Sequence, residues 1–205
     1  LTKDSYSCRF VLPTADNVLS SVQITKQKVK EIIISYENDK VILAATENVF
    51  DFEDWNKRDY SRPEADPRSG MLPPKVARMM VNLARRDISN QTAKIILDPF
   101  CGMGTILQEG LSMGLSVIGC DLVDQVVLKA QKNLEWYARE YKIDGSRCEI
   151  FKFDATHIGE KLGVGAVDAI VTEPYLGPSK LPKTGIQNTI DGLSRLYIGC
   201  LIQWK

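Results

Sequence analysis

The chain has 205 residues, of which 44% are hydrophobic, enough for one well-buried core. Lys plus Arg and Asp plus Glu balance at 26 each, so no overall basic field marks a stand-alone nucleic-acid binder. Five scattered cysteines without a C-x-x-C pair, and the single histidine His157, argue against a zinc cluster or a Cys/His nucleophile and for the reduced thiols of a cytoplasmic protein.

The first fifty residues predict short strands. Ser21–Gln27 alternates through Val22 and Ile24, Glu31–Tyr36 is rich in Ile, and Lys40–Ala45 follows the turn signal Asn38-Asp39. Residues 1–50 therefore read as a small β-rich appendage. Charges with Pro63, Pro67 and Gly70 predict an irregular connector over 51–72. Pro73-Pro74 opens a helix whose apolar stripe is Val76, Ala77, Met79, Met80, Leu83 and Ala84. Lys75, Arg78, Arg85 and Arg86 on it are candidates for phosphate contacts, although a basic helix face is more often simply solvated.

From Lys94 the pattern alternates strand and helix. Strands are expected at Lys94–Asp98, Leu115–Cys120, Cys148–Phe153 and Val167–Thr172. Helices are expected at Thr105–Met113, stopped by Gly114, at Val123–Tyr141, and near Asn188–Trp204 with Ile190, Leu193, Tyr197, Leu201 and Trp204 on one side. This is an α/β, Rossmann-like pattern over 73–205: a parallel sheet with helices on both faces. A doubly wound sheet normally continues past its switch point, so the sheet reads as truncated after strand four, with an exposed apolar edge there. The absence of an initial Met and the ending Ile-Gln-Trp-Lys inside an expected helix predict a fragment of a longer protein. No signal-peptide pattern opens it, and no apolar run approaches membrane-spanning length.

The chemistry sits at strand ends. In Asp98-Pro99-Phe100-Cys101-Gly102-Met103-Gly104-Thr105, Gly102 and Gly104 let the backbone turn sharply and approach a ligand where a Cβ would clash. The helix starting near Thr105 then aims free N–H groups and its positive dipole end at an anion, which suits the methionine carboxylate of S-adenosylmethionine (SAM). Asp121, followed by Leu122, closes strand two, where a carboxylate can accept ribose hydroxyls. Asp154-Ala155 closes strand three, where Asp154 can accept the adenine amino group. The plainer role of any one of these acids is a helix N-cap. A dinucleotide fingerprint wants a third glycine where Leu107 stands, so a nucleoside without phosphates fits better.

Strand four runs into Thr172-Glu173-Pro174-Tyr175-Leu176-Gly177. Exocyclic amines of nucleobases are poor nucleophiles because their lone pair is delocalised into the ring. An acceptor that binds their hydrogens draws the nitrogen toward tetrahedral geometry and favours attack on a sulfonium methyl. Glu173 is that candidate acceptor, joined by a backbone carbonyl near Pro174, and the ring of Tyr175 can stack on a base. Positioning and electrostatics would supply most of the effect. The plain alternative is a Pro-Tyr turn capping a strand.

These residues make the chain resemble the nucleobase-amine methyltransferases of the class I SAM fold, whose strand-four motif is usually Asp/Asn-Pro-Pro-Tyr/Phe. Within that group it is most similar to the THUMP-associated tRNA guanine-N2 methyltransferases, the archaeal tRNA (guanine(10)-N2) type. Three segments carry the likeness: Lys57–Pro63 together with Gly70–Ala77, then Asp98–Thr105, then Thr172–Gly177. Generic SAM enzymes lack the first, which in the family helps cover the cofactor and so brings in Leu72. The resemblance implies SAM as cofactor, guanine N2 of tRNA as target, and no metal. It also implies a THUMP domain ahead of Leu1 that recruits tRNA, and further strands after Lys205. Aligned from Asp168 without a gap, Glu173 takes the family's acid position, Pro174 the first proline, Tyr175 the second and Leu176 the aromatic. Aligned on Pro174-Tyr175 instead, Thr172 would replace the acid. A DNA adenine-N6 or cytosine-N4 methyltransferase and a catalytically silent RNA-binding relative remain alternatives.

Overall fold

The structure is a computed structural model; it describes residues 9–13, 19–66, 70–86, 95–178, 180 and 185–204. The chain forms two compact units, Leu1–Asn56 and Lys57–Lys205.

In the first unit a helix stands where alternation predicts a strand. α1 (Ser21–Gln27) is set by a capping box: Ser20 Oγ accepts from Gln23 N, Gln23 Oε1 accepts from Ser20 N, and Lys28 closes the helix in the left-handed region. Those reciprocal bonds satisfy two otherwise unpaired donors, and that outweighs the two alternating apolar residues of Ser21–Gln27. β1 (Ile32–Glu37) and β2 (Lys40–Ala45) form the expected antiparallel hairpin, with Ile34 opposite Leu43. Its turn residues Asn38 and Asp39 both have positive φ, +48° and +60°, which matches the right-handed twist of the strands.

A second correction falls in the connector, where α2 (Phe52–Tyr60) is helical. Asp51 Oδ1 accepts from Asp54 N at 3.0 Å, and Phe50 stacks on Trp55 with ring centroids 6.2 Å apart. A cap and a flanking apolar staple start this helix without help from periodicity. The boundary between the units lies inside α2, after Asn56.

The second unit is a four-stranded parallel sheet in the order β5-β4-β3-β6, with β3 (Ile95–Asp98), β4 (Ser116–Asp121), β5 (Cys148–Lys152) and β6 (Ala169–Ile170). Successive strand residues point to opposite faces. Ile96, Val117 and Ile150 pack with α3 (Pro74–Arg86), α4 (Thr105–Ser112) and α5 (Asp124–Tyr141) through Ala77, Val81, Leu107, Leu111, Ala130 and Leu134. Leu97 and Cys120 pack on the other face with Ile158 of α6 (Ile158–Lys161) and Trp204, next to the end of α7 (Ile186–Gln203). Both faces are covered, as a parallel sheet requires.

Strand four is shorter than expected, because among the described residues β6 has a ladder partner on one side only; single bonds from Asp168 N to Ile95 O and from Val171 N to Leu97 O extend it. The stripe predicted for α3 is also too wide. Ala77 and Val81 are fully buried, whereas Val76, Met79 and Leu83 are exposed by 38%, 60% and 64%. On α7 the inward face carries Leu193, Tyr197, Cys200 and Trp204, while Ile190 and Leu201 face solvent.

Candidate active site

The C-terminal ends of β3, β4 and β5 lie along one edge of the sheet, since Asp98 pairs with Gly119 and Asp121 with Lys152 in parallel register. Asp98, Asp121 and Asp154 therefore end up on that edge, where open α/β sheets keep their ligands.

Between β3 and α4 the chain turns sharply. Cys101 N donates to Cys120 O at 2.9 Å and Gly104 N to Cys101 O at 2.7 Å. Gly102 and Gly104 both have positive φ, +49° and +85°, but their surroundings differ. A Cβ on Gly104 would stand 2.5 Å from Leu134 Cδ2, so this glycine lets the loop lie on α5; a Cβ on Gly102 would meet nothing within 4 Å. Gly104 also begins α4 without a side-chain cap, which leaves the first-turn N–H groups without intrahelical partners. Pro99 and Cys101 are buried and Phe100 is partly exposed, so the loop presents its backbone more than its side chains.

Each acid is held in a different way. Asp98 is buried, and its Oδ1 accepts from Phe100 N at 3.2 Å and from Thr172 Oγ1 at 2.7 Å. Burial raises its pKa to about 7, against the lowering effect of those two bonds, with Asp121 and Glu173 adding to the rise. Asp98 is thus turned into the protein, joining the glycine loop to the strand-four segment. Asp121 Oδ1 accepts from Val123 N at 3.0 Å, and the adjoining Leu122 is 63% exposed. Asp154 caps the short turn Ala155–His157, accepting from Thr156 N and Thr156 Oγ1, and these bonds hold its pKa below the ordinary range. Ala155 is buried and His157 is exposed. Leu72 packs against the core at the start of α3.

Thr172 faces inward onto Asp98, while Glu173, Tyr175 and Leu176 are exposed and Pro174 is half-buried. The segment 171–178 has no regular structure.

A polar cluster beside the glycine loop escapes sequence reasoning. Glu109 on α4 has no exposed side-chain surface; it takes two bonds from Arg58, at 3.1 and 3.2 Å, and one from Arg78 at 2.7 Å. Arg78, a candidate for phosphate contact on sequence grounds, also donates to Ser112 Oγ at 2.8 Å and is held inside this cluster. Arg62 Nη1 donates to Thr105 Oγ1 at 2.7 Å, at the first residue of α4. Asn133, fully buried on α5, donates to Met103 O and Glu64 O and accepts from Glu64 N. Together these bonds strap residues 57–64 onto the loop and helix that start the site. The available signal was Glu109 and Asn133 themselves, two polar residues on otherwise apolar helix faces. Among the described residues, no group of three or more His, Cys, Asp or Glu has metal-binding geometry.

Residues 7–132 match the profile of the DNA methylase family. A tRNA (guanine(10)-N2)-dimethyltransferase of Methanocaldococcus jannaschii is 32% identical over 179 residues, covering 85% of this chain and 48% of that protein. A protein of the same name from Pyrococcus abyssi is 38% identical over 131 residues, covering 63% and 34%. A Methanothermococcus thermolithotrophicus protein named "Probable tRNA (guanine(10)-N2)-dimethyltransferase" is 36% identical over 122 residues, covering 58% of this chain and 70% of its own length. The chain spans about half the length of the Methanocaldococcus relative and about a third of the Pyrococcus one.

Proposed function

The chain belongs to the DNA methylase family, in the branch of the archaeal tRNA (guanine(10)-N2)-methyltransferases, and on that premise we propose that it methylates the exocyclic N2 amine of a guanine in tRNA, using S-adenosylmethionine. The observation that carries the reading is the 2.7 Å bond from Thr172 to Asp98, which ties the glycine loop to the strand-four motif. One hydrogen bond thus links the region suited to a methyl donor with the region suited to its acceptor.

The residues fit the cofactor. The open space at Gly102 and the uncapped start of α4 suit a carboxylate, and Arg62, buried and paired with Asp59, holds Thr105 in place at that start. Asp121 would accept from ribose hydroxyls, Asp154 from the adenine amine through the oxygen not used in its turn, and Leu72 would help cover the site. Bound there, SAM supplies an electrophilic methyl group on a sulfonium whose departure leaves a neutral thioether.

Glu173 would accept one N–H of the guanine amine and the Pro174 carbonyl the other, turning the nitrogen lone pair out of conjugation. Thr172 serves this purpose poorly, because its hydroxyl already donates to Asp98, whereas Glu173 is exposed. The Tyr175 ring, 55% exposed, is available to stack on the base. The proton released on methylation would pass to Glu173 and on to water. Recruitment of tRNA by a THUMP domain elsewhere in the protein, and a cytoplasmic location, complete the reading. No helix among the described residues is long and apolar enough to cross a membrane.

The test is methyl-labelled SAM offered with unmodified tRNA or with DNA, followed by nucleoside mass spectrometry. Label in N2-methylguanosine from tRNA is expected. Glu173→Ala should lower kcat on the order of 100-fold while leaving cofactor affinity unchanged. Label in DNA adenine or cytosine would move the chain to the DNA amino-methyltransferases. Cofactor binding without label anywhere would make it a silent relative.

A further inference from the structure

Tyr197 on α7 touches the loop on which Glu173 sits. Its hydroxyl donates to the Tyr175 carbonyl at 2.7 Å. Thr189, Leu193 and Tyr197 are spaced four apart and form one row along the helix. The first two lie against Gly177, whose φ is +98°; a Cβ there would come within 3.4 Å of Leu193 Cδ1 and 3.6 Å of Thr189 Cγ2. At its other end the loop is held by Thr172 on Asp98. Glu173, Tyr175 and Leu176 are exposed between these two anchors.

The same helix braces the Asp154 turn. A Cβ on Gly199 would stand 3.2 Å from Thr156 Cγ2, and Gln203 Oε1 accepts from Gly159 N at 3.2 Å. α7 thus joins both ends of the candidate site through one rigid element.

We propose that Tyr197 is a positioning residue of the strand-four motif: by holding the Tyr175 carbonyl it sets the peptide plane of the loop, and leaves the Glu173 carboxylate and the Pro174 carbonyl to receive the amine. This rests on the function proposed above. Tyr197 touches neither the base nor the cofactor in this scheme; it acts through the backbone of residues 173–177.

Tyr197→Phe removes the hydroxyl and keeps the ring. Hydrogen exchange of peptides covering 172–178, cofactor calorimetry and steady-state methyl transfer to tRNA are measured on wild type and variant. The expected result is exchange about tenfold faster in 172–178 alone, cofactor affinity and tRNA KM within about twofold of wild type, and kcat about tenfold lower. Unchanged exchange overturns the proposal, and so does faster exchange with an unchanged kcat. A general rise in exchange together with a lower melting temperature also overturns it, since the hydroxyl would then support the fold rather than the loop. Should the wild-type chain transfer no methyl group to tRNA, the proposed function falls. The pinning by Tyr197 is then decided by the exchange arm alone.

Discussion

Gly102 and Gly104 are two residues apart, and replacing them should have opposite consequences. Gly104→Ala drives a Cβ to 2.5 Å from Leu134 Cδ2 at a φ of +85°, so it should destabilise the second unit by at least about 2 kcal/mol, seen as an earlier melt. Gly102→Ala meets only open space, so its cost should be about 1 kcal/mol from the left-handed backbone. The methyl group would instead fill the space proposed for the cofactor, and calorimetry should show weaker binding with the fold retained. Asp98 makes a prediction of a different kind. Its pKa is raised from 3.8 to about 7 by burial, so folding favours the protonated form. The stability tied to that proton is fully present below the unfolded value and is lost as pH rises through about 7. Asp98→Asn should therefore gain on wild type in melting temperature between about pH 5 and about pH 8. An equal gain at both ends of that range would count against the buried carboxyl. These details were beyond the sequence, which shows an acid at a strand end but not whether its oxygens face a pocket or the core.

At the scale of elements, the second unit depends on the strap formed by residues 57–64. Arg58 and Arg78 meet on Glu109, and the Arg58 guanidinium lies 5.1 Å from the Tyr141 ring and 5.9 Å from that of Tyr137. Removing the carboxylate would leave two poorly solvated cations facing each other. Glu109→Ala should cost about 3 kcal/mol in urea unfolding and accelerate hydrogen exchange over 57–64. If stability were unchanged, the strap would be held by Asn133 and Arg62 without the ion cluster. The sequence does single out Lys57–Pro63 as a distinctive segment, but its partners lie 51 residues away on α4 for Arg58 and 43 for Arg62. Helices α1 and α2 teach a complementary lesson. Both begin at local caps, Ser20 with Gln23 and Asp51 with Asp54, that were present in the sequence while apolar alternation and the charged, Pro- and Gly-containing stretch pointed elsewhere.

For the whole molecule, apolar side chains are left uncovered on the second unit: Val76, Met79 and Leu83 on α3 are exposed, and so are Ile190, Ile198, Leu201 and Ile202 on α7. Among the described residues β6 pairs on one side only. The 205-residue chain should therefore self-associate, with a sedimentation coefficient that rises with concentration. A single monomeric species at all concentrations would show that these faces do not associate. The sequence by itself determined the alternation of strands and helices, the Asn38-Asp39 hairpin, the glycine turn and the acids at three strand ends. Those features follow from the steric limits of a few adjacent residues and from the two periods of side-chain direction. Only the tertiary structure decided that Thr172 meets Asp98 across 74 residues, that Arg78 faces Glu109, and that Tyr197 reaches Tyr175. The physical reason is that a polar side chain carries the capacity for a hydrogen bond but no record of its partner, which packing of the sheet and helices supplies.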